Sequence, residues 1–83
     1  MAYTVVVPKR VQKRLNKIDS RYRKKINLAL LALAGDPFIG KKLEGDHRGQ
    51  WSISVWPYRI VYEIYDRKLI VLVIRVGHRQ GVY

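Results

Sequence analysis

The chain has 83 residues and no cysteine, which predicts one domain spanning residues 1–83 and excludes disulfides and cysteine-ligated zinc. Its hydrophobic fraction of 48% is that of a globular protein. Seventeen Lys and Arg against six Asp and Glu give a net charge of +11, which favours an anionic partner: nucleic acid first, then an acidic protein or an anionic membrane surface.

The apolar run near the N-terminus is too short for the core of a signal peptide. No other run approaches the roughly 20 apolar residues that span a bilayer. Together with the absence of cysteine, these features predict a cytoplasmic protein without a membrane partner.

The first elements predicted are a strand and a helix. The segment 2–7 (AYTVVV) is rich in β-branched residues and predicts a strand. Pro8 ends this strand and can open a helix at its first turn. In that helix Val11, Leu15 and Ile18 follow the i, i+4, i+7 spacing of one narrow apolar stripe.

A second helix follows, which either Asp19 or Ser20 could cap and which Gly35 ends. Its main apolar face is expected to consist of Tyr22, Ile26, Leu30 and Leu33, and Leu28 and Leu31 are expected to widen that face. Residues 8–35 therefore predict a helical hairpin.

The predicted hairpin is strongly basic. It holds nine basic residues and a single acid, Asp19, so it carries +8 of the total +11. We expect it to dock on a polyanion with an affinity that falls as salt rises, although a merely solvated helix face would have the same composition. The predicted RNA- or ribosome-binding residues, which include three from the following loop, are Lys9, Arg10, Lys13, Arg14, Lys17, Arg21, Lys24, Lys25, Lys41, Lys42 and Arg48.

The second half of the chain predicts a loop and three strands. Residues 36–50 are rich in glycine and are expected to form a loop. In 51–56 (WSISVW), serines alternate with apolar residues, as in a strand with two unlike faces. Residues 58–65 and 68–76 predict two more strands, joined by a turn at Asp66-Arg67.

The predicted order gives an α+β fold. It comprises an N-terminal strand, a helical hairpin and a three-strand antiparallel meander, with the helices packed on one face of the sheet. The apolar run of the last strand indicates that both of its faces are covered.

Metal-dependent chemistry is not expected. His47 and His78 are the only histidines, and the six acidic residues are scattered along the chain. A two-metal nuclease needs several carboxylates around each ion. The sequence also lacks the glycine-rich loops that cradle phosphates, so no cofactor is predicted.

The remaining candidate site is cationic. Arg59 lies early in the second strand of the meander, and Arg79 lies just past the third, flanked by His78 and Tyr83. Because antiparallel pairing brings residue 59 close to residue 75 and beyond, Arg59 and Arg79 are expected at the same end of the sheet. Two arginines there can grip one phosphate and stabilise the charge that builds on it.

Cleavage of RNA without a metal also needs a base for the 2′-hydroxyl and an acid for the leaving 5′-oxygen. Histidine titrates near neutral pH, so His78 can serve either role. Tyr83 could act as a base if neighbouring arginines favour its ionised form, or it could stack on a nucleobase. Each residue also has a plainer interpretation: Arg59 as an ion-pair partner of Glu63 or Asp66, His78 as a loop residue, and Tyr83 as a disordered end.

These motifs together resemble a known family. The stretch YRIVYEIYDRKLIVLVIRVGHRQGVY, and KKLEGDHRGQWSISV before it, resemble the RelE/ParE superfamily of bacterial and archaeal toxins from toxin–antitoxin pairs. The opening strand and the basic hairpin are similar too, so the resemblance covers essentially the whole chain.

RelE-type members are small α+β endoribonucleases that cut messenger RNA in the ribosomal decoding site without a metal. The resemblance implies attack by the 2′-hydroxyl, leaving a cyclic phosphate and a 5′-hydroxyl. By position, Arg59 and Arg79 match arginines that grip the scissile phosphate, and Tyr83 matches a C-terminal catalytic tyrosine. His78 occupies the family's Gly-(His/Lys)-Arg step, where it would assist.

One departure from the family concerns the first strand of the meander. Some ribosome-dependent members carry lysines where this chain has Ser52 and Ser54, which leaves the identity of the base open. Lys41, Lys42 or Arg48 could supply charge from the preceding loop.

Three functions remain open. The first is a ribosome-dependent messenger RNA endonuclease, neutralised by a cognate antitoxin that lays an acidic segment over the basic surface. The second is a ParE-type poison of DNA gyrase without chemistry of its own. The third is a catalytically weakened RNA-binding relative. Fold alone does not choose among them.

Overall fold

The computed structural model describes residues 2–79, and Met1 and residues 80–83 lie outside that part. Two helices and five strands form in the order β1, α1, α2, β2, β3, β4, β5, with single turns of 3₁₀-helix before β2, before β3 and before β5. The bounds are β1 Thr4–Val6, α1 Lys9–Asn16, α2 Ser20–Gly35, β2 Lys41–Lys42, β3 Trp51–Val55, β4 Tyr58–Tyr65 and β5 Ile70–His78. The predicted α+β order of strand, hairpin and meander is confirmed.

The five strands form one sheet in the order β1-β5-β4-β3-β2. β1 pairs parallel to β5, whereas all the other pairs are antiparallel. The parallel pair is possible because the helical hairpin carries the chain across the sheet between β1 and the meander. Within residues 2–79 no helix combines the length and apolar content that crossing a bilayer requires.

The hydrophobic core lies between the hairpin and one face of the sheet. Helix α1 packs on β5, and α2 packs on β1 and β3. The core residues are Val11, Leu15, Ile18, Ile26 and Leu33 from the hairpin and Ile60, Tyr62, Val71, Val73 and Val76 from the strands. Each fully buried aliphatic side chain stabilises the fold by about 1.5–3 kcal/mol, so this face holds the molecule together.

Local capping explains where the helices begin and end. The side chain of Asp19 accepts a hydrogen bond of 2.9 Å from the backbone N–H of Arg21, so Asp19 caps α2. That bond lowers the pKa of the Asp19 carboxyl. After α2, the carboxylate of Asp36 accepts from the N–H of Phe38 at 3.0 Å and starts the 3₁₀ turn Pro37–Ile39.

Three local predictions were wrong. Residues 36–50 are not all loop, because Lys41–Lys42 pair with Trp51 and Ser52 to form β2, and local composition does not encode such long-range pairing. The connection of β4 to β5 is a 3₁₀ turn over Asp66–Lys68 followed by Leu69 at φ 53°, rather than a two-residue turn.

The third wrong prediction concerns the width of the apolar face of α2. Leu28 and Leu31 are 66% and 70% exposed, so they do not widen the buried face. Ile26 and Leu33 are fully buried on the sheet side, and Tyr22 and Leu30 are half-buried beside them. Both exposed leucines point away from the buried stripe, and Leu31 lines a surface groove with Val5, Val7 and Leu30.

Tyr62 anchors the segment that leads into β2. Its side chain is fully buried, and its hydroxyl donates a 2.7 Å hydrogen bond to the carbonyl oxygen of Pro37. Burial raises the pKa of Tyr62 to about 12. A Cβ at Gly40 would lie 2.1 Å from this hydroxyl and 2.7 Å from the backbone oxygen of Ser52, so the close approach requires glycine.

Candidate nucleic-acid site

The face of the sheet opposite the helices carries the candidate site. On β4, Ile60 and Tyr62 point to the core, so alternation directs Arg59 and Val61 to the other face. In register, Ser54 lies beside Arg59 and Ser52 beside Val61. This surface, which we call the open face, is therefore built from polar and basic side chains around the buried Val61.

A shallow pocket of about 280 Å³ opens on this surface. It is lined by Ile39, Gly40, Lys41, Ser52, Ile53, Ser54 and Arg59. The Arg59 side chain is half-buried and its Nε is shielded from solvent, so the surrounding protein restricts the side chain. The pocket thus combines two cationic side chains, Arg59 and Lys41, with two serines, a combination suited to a phosphate group.

A β-bulge adds a second arginine to the open face. Val61 pairs with Arg75 but Tyr62 pairs with Val73, so Ile74 is an extra residue in β5. The extra residue shifts the alternation by one, which directs Arg75 to the open face and Val76 to the core. The guanidinium of Arg10 on α1 donates to the bulged carbonyl of Ile74 at 3.3 Å.

Sequence reasoning missed Arg75 as a site residue. Arg75 pairs with Val61, and Arg59 pairs with Gly77, so the two arginines are diagonal neighbours on adjacent strands. Such diagonal neighbours lie roughly 7–8 Å apart, and their Cβ atoms are somewhat closer, so two long side chains can reach the same phosphate. Sequence reasoning assumes that side chains of a strand alternate strictly between its two faces. The β5 sequence gives no sign of the bulge that places Arg75 on the open face.

Arg59 and Arg79 lie at the same end of the sheet, as strand pairing predicts. The N–H of Arg79 donates a 2.9 Å hydrogen bond to the carbonyl of Pro57, in the turn before β4. The Arg79 guanidinium carbon lies 4.2 Å from the centre of the Trp56 indole. Trp56 itself is 64% exposed, so this arginine stacks on a solvent-facing ring at the edge of the open face.

His78 does not lie on the open face. It pairs with Tyr58, and the two rings meet edge to face with centroids 6.2 Å apart. Tyr58 in turn contacts Tyr22 of α2 at 5.7 Å. The imidazole is therefore at the same end of the sheet as Arg59 but on its helix side, one strand position away from Gly77.

Two further expectations concern Tyr83 and the acidic residues near Arg59. Tyr83 lies outside the described residues. Glu63 accepts a hydrogen bond of 2.8 Å from the hydroxyl of Tyr65, and Asp66 accepts one from the hydroxyl of Tyr3, which raises the pKa of Tyr3. Glu63 is four residues from Arg59 along β4, so their Cα atoms are about 13 Å apart.

The eleven predicted RNA-binding residues are all exposed. Eight lie on the hairpin, one of which, Arg10, also bonds to β5. Lys42 lies on the edge strand β2 with its ammonium 5.7 Å from the centre of the Trp51 ring. Among residues 2–79, no three His, Asp or Glu side chains are grouped to hold a metal ion.

Comparison with known proteins identifies the family. The family model for the ParE toxin of type II toxin–antitoxin systems matches residues 5–83. Toxin RelG of Mycobacterium tuberculosis is 31% identical over all of this chain and 98% of its own length. Toxin YoeB of Synechocystis is 37% identical over 75% of this chain and 78% of its own length.

A solved structure supports the same assignment. A chain of the toxin–antitoxin complex RelBE2 from Mycobacterium tuberculosis matches with a TM-score of 0.86 and 28% identity, over 95% of this chain and 93% of that one. The sheet order, the hairpin and the sequence therefore agree over nearly the whole length. The protein belongs to the RelE/ParE superfamily and is a toxin of the type II toxin–antitoxin kind.

Proposed function

We propose that this toxin is an enzyme that cleaves messenger RNA on the ribosome, without a metal ion, by attack of a ribose 2′-hydroxyl on the adjacent phosphate. The observation that carries the proposal is the open face, where Arg59 and Arg75 are diagonal neighbours and Arg79 stands at the edge. Guanidinium groups fixed around a pocket stabilise the charge that a phosphate gains in the transition state.

In this reaction the 2′-oxygen forms a bond to phosphorus while the bond from phosphorus to the 5′-oxygen breaks. The products are a 2′,3′-cyclic phosphate and a 5′-hydroxyl. A base takes the proton of the 2′-hydroxyl, and an acid supplies one to the 5′-oxygen. Tyr83 is the proposed base. His78, whose ring packs on Tyr58 on the helix side of the sheet, is proposed to assist by supporting this end of the site and not by contacting the phosphate.

Charge supports the ribosome as the place of action. The exposed lysines and arginines of the hairpin form a surface away from the open face, so one side can bind ribosomal RNA while the other holds the messenger. We expect binding to ribosomes to weaken by orders of magnitude when salt rises from 50 to 200 mM, as it does for proteins that make several phosphate contacts. Both RNA targets are cytoplasmic.

The proposed partner in the resting cell is a cognate antitoxin. The matched structure from Mycobacterium tuberculosis is a toxin–antitoxin complex. Because this chain has a net charge of +11, an acidic antitoxin segment would bind it best. Such a segment would cover both the basic surface that binds the ribosome and the open face.

A defined messenger translated in vitro with the purified protein tests the proposal. New 5′ ends are mapped by primer extension, with and without ribosomes. We expect cuts only when ribosomes are present, and we expect Arg79→Ala to slow them by about 10²–10³-fold. A messenger that stays intact while translation proceeds normally would overturn the proposal.

The alternative is a poison of DNA gyrase, which is what a resemblance to ParE-type members implies; the family model that matches residues 5–83 is that of the ParE toxin. In that case a supercoiling assay would show inhibition that survives both Arg79→Ala and Tyr83→Phe. A protein that binds ribosomes in a salt-dependent way but neither cuts nor inhibits gyrase would instead be a weakened RNA-binding relative.

A further inference from the structure

The turn that joins β3 to β4 presents a large aromatic ring to solvent. Val55 pairs with Tyr58, so the turn consists of Trp56 and Pro57 alone. Trp56 is 64% exposed, whereas Trp51 at the start of β3 is half-buried against Phe38. A single exposed aromatic side chain is common on protein surfaces, so any role of Trp56 depends on what its ring contacts.

Arg79, the residue that follows β5, lies alongside this turn. The backbone N–H of Arg79 is tied to the carbonyl of Pro57 at 2.9 Å, which fixes the start of the Arg79 side chain beside the ring. Its guanidinium carbon lies 4.2 Å from the centre of the indole. The short distance is that of a cation held against the face of an aromatic ring.

Stacking on the indole leaves the N–H donors of the Arg79 guanidinium accessible to a phosphate. At 4.2 Å the guanidinium lies over the indole ring. In the parallel arrangement that arginine favours on aromatic rings, the N–H donors lie in the plane of the guanidinium and point outward from its edge. A phosphate binds to that edge and not to the face. Stacking also restricts a long side chain that would otherwise sample many rotamers on an exposed segment.

We propose that Trp56 is a positioning residue for Arg79: its indole holds the guanidinium so that the N–H edge faces the phosphate bound at the open face. This inference rests on the proposed function, since it assigns Arg79 a phosphate to bind. Trp56 acts only through Arg79 and does not touch the reacting atoms.

A double-mutant cycle in the cleavage assay tests the coupling. Because a small misplacement of a binding group can cost up to 10²-fold in rate, we expect Trp56→Ala to lower the rate at saturating toxin by roughly tenfold. Trp56→Phe keeps an aromatic face and should recover most of the rate. In the Arg79→Ala background, adding Trp56→Ala should change the rate by less than about twofold, because the group it positions is gone.

The matched control is Tyr65→Ala, which removes another exposed aromatic side chain, 44% exposed, from the opposite end of β4. It should leave the rate unchanged. The inference is overturned if Trp56→Ala slows cleavage equally in both backgrounds, since Trp56 would then act on its own. It is also overturned if Trp56→Phe is as slow as Trp56→Ala.

A second readout does not depend on cleavage. The Nε–H resonance of Arg79 can be followed by NMR while inorganic phosphate is added. We expect the resonance to shift in the wild type, and the apparent affinity for phosphate to fall by roughly tenfold in Trp56→Ala. If no messenger is cut but this difference is found, the proposed function fails and the positioning contact stands. An equal affinity in the two proteins would overturn the positioning role.

Discussion

The two faces of the sheet share the same strands but perform different tasks. On the helix side, Ile60, Tyr62 and Val73 are fully buried under the hairpin. On the open face, the neighbouring positions of the same strands carry Arg59 and Arg75. The difference shows that in this small chain one face supplies nearly all of the core, which leaves the other face available for charge.

The bulge at Ile74 determines which side chains at the end of β5 lie on each face of the sheet. Without an extra residue, strict alternation after Val73 would direct Arg75 to the core and Val76 to the open face. One inserted residue reverses both side chains. Substitutions of buried side chains on the helix side should therefore change stability, and substitutions of charged side chains on the open face should change activity.

The largest expected effect is on the helix side. Leu33 is fully buried in the core, so Leu33→Ala should cost about 2–5 kcal/mol of stability. Its control is Leu31→Ala, because Leu31 lies on the same helix but is 70% exposed; it should cost less than about 0.5 kcal/mol. Urea denaturation measures both. Equal losses would mean that Leu31 is covered in solution.

The next effect belongs to the open face. Arg59→Ala should lower messenger cleavage by about 10²–10³-fold, the loss seen when a fixed donor to transition-state charge is removed. Denaturation curves should show that the variant remains folded. Arg67→Ala removes an exposed arginine beyond the far end of β4 and serves as control. Cleavage that survives Arg59→Ala would separate the open face from the chemistry.

A smaller effect is expected at Gly40, which directly precedes the edge strand β2. Gly40→Ala places a methyl group 2.1 Å from the Tyr62 hydroxyl and 2.7 Å from a backbone oxygen, so it should cost about 1–3 kcal/mol. Gly35→Ala at the end of α2 meets nothing within 4 Å and should be neutral or slightly stabilising. Thermal unfolding compares the two. A tolerated Gly40→Ala would contradict the close approach.

The smallest effect concerns the buried hydroxyl of Tyr62. Its pKa is about 12 when folded and near 10 when unfolded. Between these values the unfolded chain releases the proton first, so Tyr62 contributes stability below pH 10 that is lost as the pH rises toward 12.

Tyr62→Phe tests this dependence. At pH 7 the variant should be less stable by about 1 kcal/mol, because it lacks the hydrogen bond to Pro37. At pH 11 the wild type has lost about 1 kcal/mol of its own, so the gap should nearly close. Denaturant titrations at the two pH values measure it. A gap that stays constant would contradict the raised pKa of Tyr62.

Most of the fold could be predicted from the sequence, because its signals are local. Apolar spacing predicted the stripe Val11, Leu15 and Ile18, and alternation predicted the faces of β3. The strand β2 and the bulge at Ile74 could not be predicted, since both arise from hydrogen bonds to distant residues.

The candidate site was predicted only in part. Sequence order suffices to bring Arg59 and Arg79 to one end of the sheet, because a hairpin fixes which residues are opposite each other. It does not reveal which face a side chain occupies after a bulge, so Arg75 was missed and His78 was expected beside Arg59. Catalytic roles for Arg59, Arg79, His78 and Tyr83 stay predictions.

The most direct test of the account uses a messenger in which one ribose lacks its 2′-hydroxyl. Wild-type protein is added to ribosomes stalled on two otherwise identical messengers, one with ribose and one with 2′-deoxyribose at the mapped cleavage position. We expect the first to be cut, giving a 5′-hydroxyl end, and the second to stay intact at that position. Equal cleavage of both, or a 5′-phosphate end, would contradict 2′-hydroxyl attack on a phosphate held by the open face.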